Sequence, residues 1–320
     1  MRHWRRRGLL AWLLWPASLL YGVVACLRRS LVRRRKAGLP VVVVGNITVG
    51  GSGKTPLVLW IAEHLRAHGW HPAIVSRGYG GAAREPRAVT LVSEPAEVGD
   101  EPVLLARRSG CPVWVGAERL AVIAALRASH PEVDVVLLDD GLQHYALARD
   151  IEIAVVDARG FGNGFLLPAG PLREPRRRLR SVDAVVSHGA SVPGYAMRLE
   201  GAELHRMTDA RDRRPAASFA GQKVHAVAGI GDPNRFFLHL ARFGVKPLPH
   251  PFPDHHAFRP GELDFGDSAP VLLTEKDAVK LRAVAQPHWW VLPVTAKVDA
   301  AFGEWLLRRL DEFRRRPEAA

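Results

Sequence analysis

The stretch that decides the fold is VVVVGNITVGGSGKT, residues Val41 to Thr55. Four consecutive valines read as a buried strand. A glycine-rich bend follows, and Gly53-Lys54-Thr55 runs directly into an amphipathic segment from Leu57 to His68, closed by Gly69. Strand, bend and helix in that order outline a phosphate-binding loop. In such a loop backbone N–H groups curl around phosphate oxygens, and the helix N-terminus turns its partial positive charge on the anion. The lysine reaches the β- and γ-phosphates, and the threonine hydroxyl ligates Mg²⁺. The expected nucleotide cradle is Thr48, Val49, Gly50, Gly51, Ser52, Gly53, Lys54 and Thr55. One position is irregular: Thr48 stands where the usual spacing puts glycine, and Gly50 and Gly51 supply the flexibility instead.

The stretch Val133 to Gly141, VDVVLLDDG, complements this loop. An apolar strand ending in aspartate is how a carboxylate is delivered to Mg²⁺ beside bound phosphates, so Asp139 is the expected metal-side acid. Asp140 would face elsewhere on an extended strand, toward an acceptor. Further strands are expected at Ala73–Ser76, Ala88–Val92, Pro112–Gly116, Ile151–Asp157 and Val182–Ser187, alternating with helices in the pattern of a doubly wound α/β sheet. The loop Arg77-Gly78-Tyr79-Gly80-Gly81 is either a simple turn or a ligand loop at the carboxyl edge of that sheet. At Gly99-Asp100-Glu101-Pro102 the spacing favours a helix N-cap role for Asp100 over a chemical one. The Gly-, Pro- and Arg-rich segment between the last two strands contains Arg173 and Glu174, on a solvated face or ordering a phosphate or acceptor.

From about Tyr195 to Ala217 the pattern loosens, and residues 195–217 are expected to connect a kinase-like domain, 37–194, to a smaller α/β domain, 218–320. The latter would hold strands near Val224–Ala228, Val271–Thr274 and Trp289–Val294 and a final amphipathic helix from Asp299 to Arg315. Its Gly229-Ile230-Gly231 reads as a tight turn. Its PFPDHHAF segment has no ligand cluster around it that would make a zinc site.

Residues 1–36 differ in kind. Leu9 to Leu27 is almost unbroken apolar sequence, at about 1.5 Å per residue just long enough to cross roughly 30 Å of hydrocarbon. Arginines flank it on both sides, which removes the charge asymmetry of an oriented span, and Pro16 and Gly22 weaken a straight helix. The preferred reading is a bent anchor dipping into the membrane, its basic flanks on anionic headgroups and Trp4, Trp12, Trp15 and Tyr21 at the interface. The net charge of +13 over 320 residues fits such a surface, and no nucleic-acid motif accompanies it. Cys26 and Cys111 alone make no disulfide framework, so a reducing compartment is expected for the folded part.

In order along the chain stand the apolar segment, GNITVGGSGKTP, SRGYGG, GDEP, LLDDGLQH, PAGPLREP, FPDHHAF and TEKD. Together they resemble the tetraacyldisaccharide 4'-kinase family, the membrane-associated lipid A 4'-kinases of Gram-negative bacteria. The resemblance covers nearly the whole chain and accounts for Thr48, because the family's loop has the same shifted glycines. It implies a P-loop NTPase-like sheet, a second smaller α/β domain and an N-terminal membrane-anchoring helix. It implies ATP and Mg²⁺ as cofactors and phosphorylation of the 4'-hydroxyl of an acylated glucosamine disaccharide 1-phosphate to lipid IVA. The location implied is the cytoplasmic face of the bacterial inner membrane. It assigns Asp100 as general base, with the histidine following Asp254, His255 rather than His256, as its partner, and puts Tyr79, Glu101, Arg119, Asp140, Arg173 and Glu174 around the active site. Two other classes compete: a membrane-targeting NTPase switch, which would lack an acceptor-side base, and a non-catalytic nucleotide-binding adaptor, disfavoured by an intact Lys54 and Asp139.

Overall fold

The computed structural model describes residues 2–190 and 192–315. Met1 and residues 316–320, at the outer ends of the expected segments 1–36 and 218–320, lie outside the described residues, as does Ser191 within 37–194. The apolar N-terminal run is broken at Leu14 into α1 (Leu9–Leu13) and α2 (Trp15–Leu31), with Pro16 in the first turn of α2, where its missing N–H costs nothing. Among the described residues no helix is long and apolar enough to cross a membrane.

From β1 (Val41–Gly45) the chain passes through α3 (Lys54–Ala67), β2 (Pro72–Ser76), β3 (Arg87–Val89), α4 (Pro95–Val98), α5 (Asp100–Ser109), β4 (Val113–Val115), α6 (Arg119–Ser129) and β5 (Val135–Asp139). It then crosses to the other side of β1 for β6 (Ile151–Asp157), β7 (Ala184–His188) and β8 (Tyr195–Glu200). Seven strands, β8-β7-β6-β1-β5-β2-β4, run parallel, and β3 adds an antiparallel edge. A parallel sheet needs cover on both faces, and β1 shows it residue by residue. Val42 and Val44 join the core under α3 and α5, while Val41 and Val43 join the core under α6.

A second mixed sheet follows: β9 (Glu203–Arg206), β10 (Arg213–Pro215), β11 (His225–Ala228), α7 (Pro233–Ala241), β12 (Leu248–Pro251), β13 (Val271–Thr274), α8 (Glu275–Leu281) and β14 (Trp289–Leu292), in strand order β10-β9-β14-β13-β11-β12. The chain then returns. β15 (Thr295–Val298) pairs antiparallel with β8 on the far edge of the first sheet, and α9 (Ala300–Arg314) packs against α3.

This partition corrects the expected boundaries at both ends of the second unit. Residues 195–200, expected to be connection, are strand β8, and the end of the 218–320 segment belongs to the first sheet. The apolar stripe Phe302, Leu306 and Leu310 makes α9 a helix that must be covered, but a stripe carries no information about which sheet covers it. Strand Ala88–Val92 is also shorter than expected, leaving Val92 exposed.

Leu306 is fully buried in the core of the first sheet. Leu306→Ala is expected to destabilise that sheet's unit by about 2–5 kcal/mol in equilibrium chemical denaturation. A loss under about 1 kcal/mol would contradict the packing.

Candidate active site

The loop between β1 and α3 sits at the carboxyl edge of the first sheet, beside the ends of β5, β6 and β7. Gly53 caps α3 with φ 87°, a left-handed conformation that a side chain would strain, and no side chain occupies the cap. The first N–H groups of α3 are therefore available to an anion. Val49 is pinned by its N–H to the Pro171 carbonyl (2.9 Å), Thr48 bridges to Leu172, and the Arg159 guanidinium donates to the Gly51 carbonyl (2.8 Å). Ser52 is buried with its hydroxyl unpartnered. Lys54 Nζ lies 3.4 Å from Asn46 Oδ1 and 3.5 Å from an Asp140 oxygen.

Asp139 ends β5 fully buried, and neither carboxyl oxygen has a hydrogen-bond partner. Burial, then the nearby Glu101 carboxylate, pushes its pKa up to about 7 against the pull of Lys54. An orphaned carboxylate at the mouth of a phosphate loop is what a cation would satisfy, and Thr55 lines the adjoining cleft. Among the described residues no group of three His, Cys, Asp or Glu side chains could hold a metal by itself. Mg²⁺ commonly takes one or two protein carboxylates and fills its shell with water and phosphate oxygens, so these residues fit it. Asp140 adopts φ 51°, which turns it off the strand and into a bidentate pair with Arg173 (3.0 Å to each oxygen). Arg173 also donates to Asn46 Oδ1 (3.2 Å). Glu174 points the other way. It is buried against Gln143 (2.7 Å) and Arg178 (3.2 Å), one step behind the site, where Gln143 also donates to the Asn46 carbonyl (3.1 Å).

The second half of the site spans the two sheets. Asp100 is not the N-cap that spacing favoured: Gly99 is, at φ 92°, and Asp100 is the first residue of α5. Its carboxylate accepts from the Glu101 amide (2.9 Å) and from His255 Nδ1 (3.0 and 3.1 Å to its two oxygens). His256 instead bonds Glu262 (2.9 Å), so the partner of Asp100 is His255. His255 holds φ 60°, a conformation costly for a residue with a Cβ and often found where function needs it. Lys276 of α8 completes the cluster, with Nζ 2.9 Å from Glu101, 3.0 Å from Asp254 and 3.3 Å from His255 Nε2. Burial works to raise the Asp100 pKa, but the His255 hydrogen bond and the Lys276 charge outweigh it and hold the carboxyl below the usual range. The same hydrogen bond raises the pKa of His255.

Tyr79 is exposed and lies against the His255 ring, centroids 4.9 Å apart. Arg119 is buried at the start of α6, donating to the Gly116 (2.8 Å) and Ala117 (3.0 Å) carbonyls with its Nε unpartnered. Burial and then Arg77 lower its pKa to about 10. A cleft of about 550 Å³ opens between the sheets, lined by Gly51, Gly53, Thr55, Asp157, Arg235 and Lys276 among others. Gly231 is in close approach here: a Cβ on it would stand 2.8 Å from the Gly51 nitrogen, so the second unit reaches the loop only through a bare backbone.

Three residues at the centre escaped the sequence reading. Asn46 and Gln143 are neutral amides inside stretches already singled out, and Lys276 lies in TEKD with only its place in that motif as a signal.

A mixed, largely parallel α/β fold with a lysine-bearing glycine loop, a buried unpaired aspartate at a strand end and an Asp–His pair joining its two sheets has the layout of a phosphoryl-transfer enzyme. The chain belongs to the LpxK family, tetraacyldisaccharide-1-P 4'-kinase, whose sequence profile matches residues 10–311. It is 51% identical to the tetraacyldisaccharide 4'-kinase of Azoarcus sp. strain BH72 over 98% of this chain and 95% of that one. It is 53% identical to the enzyme of that name from Alkalilimnicola ehrlichii over 91% and 90%. A crystal structure of LpxK from Aquifex aeolicus in complex with ATP superposes with a TM-score of 0.77 at 28% identity, covering 94% of this chain and all of that one.

Because the folded-state pKa of Asp139 stands above the ordinary carboxylate value, this group's contribution to stability is lost as pH rises from about 4 through 7. Asp139→Asn is expected to melt at a higher temperature than the ligand-free wild type at pH 8, with the gap closing toward pH 5. Equal melting temperatures at pH 8 would contradict a buried, unpaired carboxylate.

Proposed function

We propose that this chain is a tetraacyldisaccharide 4'-kinase, which moves the γ-phosphoryl group of ATP to the 4'-hydroxyl of a tetraacyldisaccharide 1-phosphate in lipid A biosynthesis. The observation that carries the reading is the Asp100–His255 pair, a base with an orienting partner from the second sheet, whose neighbours Glu101 and Lys276 line one cleft with Gly53 and Thr55 of the phosphate loop. The alternative NTPase switch has no use for it. In this reading Thr48 to Thr55 form the phosphate cradle, and Lys54 exchanges its contacts with Asn46 and Asp140 for phosphate oxygens. Thr55 and Asp139 would hold Mg²⁺, which, when bound, neutralises charge on the transferring group. Asp100 accepts the hydroxyl proton as the new P–O bond forms and the bond to the ADP oxygen breaks. His255 donates Nδ1–H to the Asp100 carboxylate and keeps it aimed. Arg173 is braced by Asp140 and Asn46, so its position is set before any ligand arrives. Closing the second unit over the loop excludes the water that would otherwise hydrolyse ATP.

The acceptor carries four acyl chains, so the enzyme must meet it at a membrane. The anchor reading rests on an exposed apolar face: Leu9, Leu13, Leu20, Val23, Val24, Leu27 and Leu31 are all uncovered. The opposite face is tied to the active-site loop by Ser18 to the Leu166 carbonyl (2.9 Å) and Tyr21 to the Arg173 carbonyl (3.1 Å). With no membrane-crossing helix among the described residues, a shallow dip from the cytoplasmic side is the geometry we favour, basic flanks on anionic headgroups.

Detergent-solubilised protein given Mg·ATP and the tetraacyldisaccharide 1-phosphate is expected to make a doubly phosphorylated glycolipid, with Asp100→Ala slower by about 10²-fold or more. Folded protein that makes none would exclude the kinase reading, and a near-normal Asp100→Ala rate would exclude that residue as the base. Separately, the protein should co-sediment with anionic phospholipid vesicles and lose that affinity on Leu20→Glu with Leu27→Glu. Wild type left in the supernatant would refute the anchor.

A further inference from the structure

Lys276 is a side chain the mechanism above does not use, yet it is built into the structure more firmly than any exposed lysine. Its helix is fixed at the start by Thr274, which caps the Asp277 amide (3.2 Å) and donates its hydroxyl to the Asp277 carboxylate (2.6 Å). Asp277, fully buried, also accepts from the Gly229 amide (2.9 Å) and pairs with Lys280 (2.7 Å). The preceding residue, Glu275, takes both its oxygens to Arg108 of α5 (2.7 and 2.6 Å). The start of α8 is thereby clamped to the first unit, and Lys276 projects into the gap between α5 and the Asp254–His255 loop with little exposure.

An ammonium has three N–H donors and no acceptor. The three near contacts of Lys276 therefore have one possible sense: Glu101, Asp254 and His255 Nε2 all accept. A histidine whose Nε2 accepts carries its proton on Nδ1, and Nδ1 is the atom that faces Asp100 (3.0 Å). We propose that Lys276 is the positioning residue of the transfer site. By occupying His255 Nε2 it selects the neutral tautomer that donates to Asp100, and it leaves the Asp100 carboxylate free of its own proton. Without the lysine, Nε2 is open to protonation, and an imidazolium there would pair with Asp100 as a salt bridge and weaken it as a base. Lys276 also holds Glu101 and Asp254, one from each unit, so its contact with His255 is made within the second unit and braced from the first by Glu101. The charged groups facing the pair are Glu101 from α5, Asp254 from the loop, and Lys276 and Lys280 from α8, with Asp139 beyond them. Lys276 is the cation nearest to His255 in this set.

This inference rests on the kinase reading, and the test separates the two. Wild type, Lys276→Met and Lys276→Arg are assayed as full-length solubilised protein with Mg·ATP and the tetraacyldisaccharide 1-phosphate across pH 5 to 9, with thermal melting recorded for each. For Lys276→Met we expect kcat to fall about 10²-fold with the KM for Mg·ATP within about threefold, since an orienting contact is lost while the phosphate cradle is untouched. The acid limb of the pH profile should move to higher pH, because both Asp100 and His255 lose a neighbouring positive charge and bind protons more readily. Lys276→Arg keeps a cation that offers only donors, and should recover at least tenfold of the loss and return the acid limb toward wild type. Lys276→Met turning over within threefold of wild type overturns the proposal. So does a fall in rate that leaves the acid limb in place and is not relieved by Lys276→Arg, since that is what a structural role alone would produce. A wild type that makes no product overturns the kinase reading instead.

Discussion

The contact on which the rest of the structure depends is the hydrogen bond from His255 to Asp100, 3.0 Å long and joining residues 155 positions apart. It is the point where two sheets with separate cores become one site. Around it the polar groups are committed in pairs: Glu101 and Asp254 to Lys276, Glu275 to Arg108, Asp140 to Arg173. A carboxylate-rich cleft of this kind would repel itself open without those cations. Asp139 is left without any partner, and its raised pKa follows from burial and from Glu101 beside it. The unpaired group and the over-paired cluster thus lie close enough to act on one another through Glu101 and Lys276, the first suited to a cation and the second to orienting a base.

The phosphate side and the acceptor side are built by different means. The loop at Thr48 to Thr55 rests on a strand buried on both faces and on backbone contacts with the Pro171–Leu172 segment, so its shape is present before a ligand binds. The acceptor side rests on side chains contributed across a cleft, with His255 in a strained backbone conformation. It is therefore the part most easily altered by a change in the distance between the units. The segment carrying Arg173 links both to the N-terminal helices through hydrogen bonds from Ser18 and Tyr21, which tie the exposed apolar face to the chemistry.

What could be read from the sequence follows from how local each signal is. The parallel sheet, the strand–bend–helix order around Gly53 and the place of Asp139 at a strand end were legible because a continuous valine run, a glycine bend and an acidic strand end are each written within a few residues. Asp100 was not legible from spacing, since a carboxylate opening a helix looks the same whether it serves the helix or a distant histidine. The resemblance to a family pointed to His255 as its partner, and the side-chain hydrogen bonds agree, with His255 on Asp100 and His256 on Glu262. Lys276 was hidden for a related reason: a lysine in the first turn of a short helix is ordinarily solvated, and only the clamping of α8 onto α5 buries it. The return of β15 and α9 to the first sheet was equally invisible, because amphipathicity specifies a face and not its partner.

The central claim is that Asp100 and His255 act as one unit supplied by two parts of the chain. A double-mutant cycle on kcat with Asp100→Asn, His255→Ala and the pair tests it most directly. The account predicts strong non-additivity, the double variant being about as slow as the slower single. Two losses that simply multiply would contradict it.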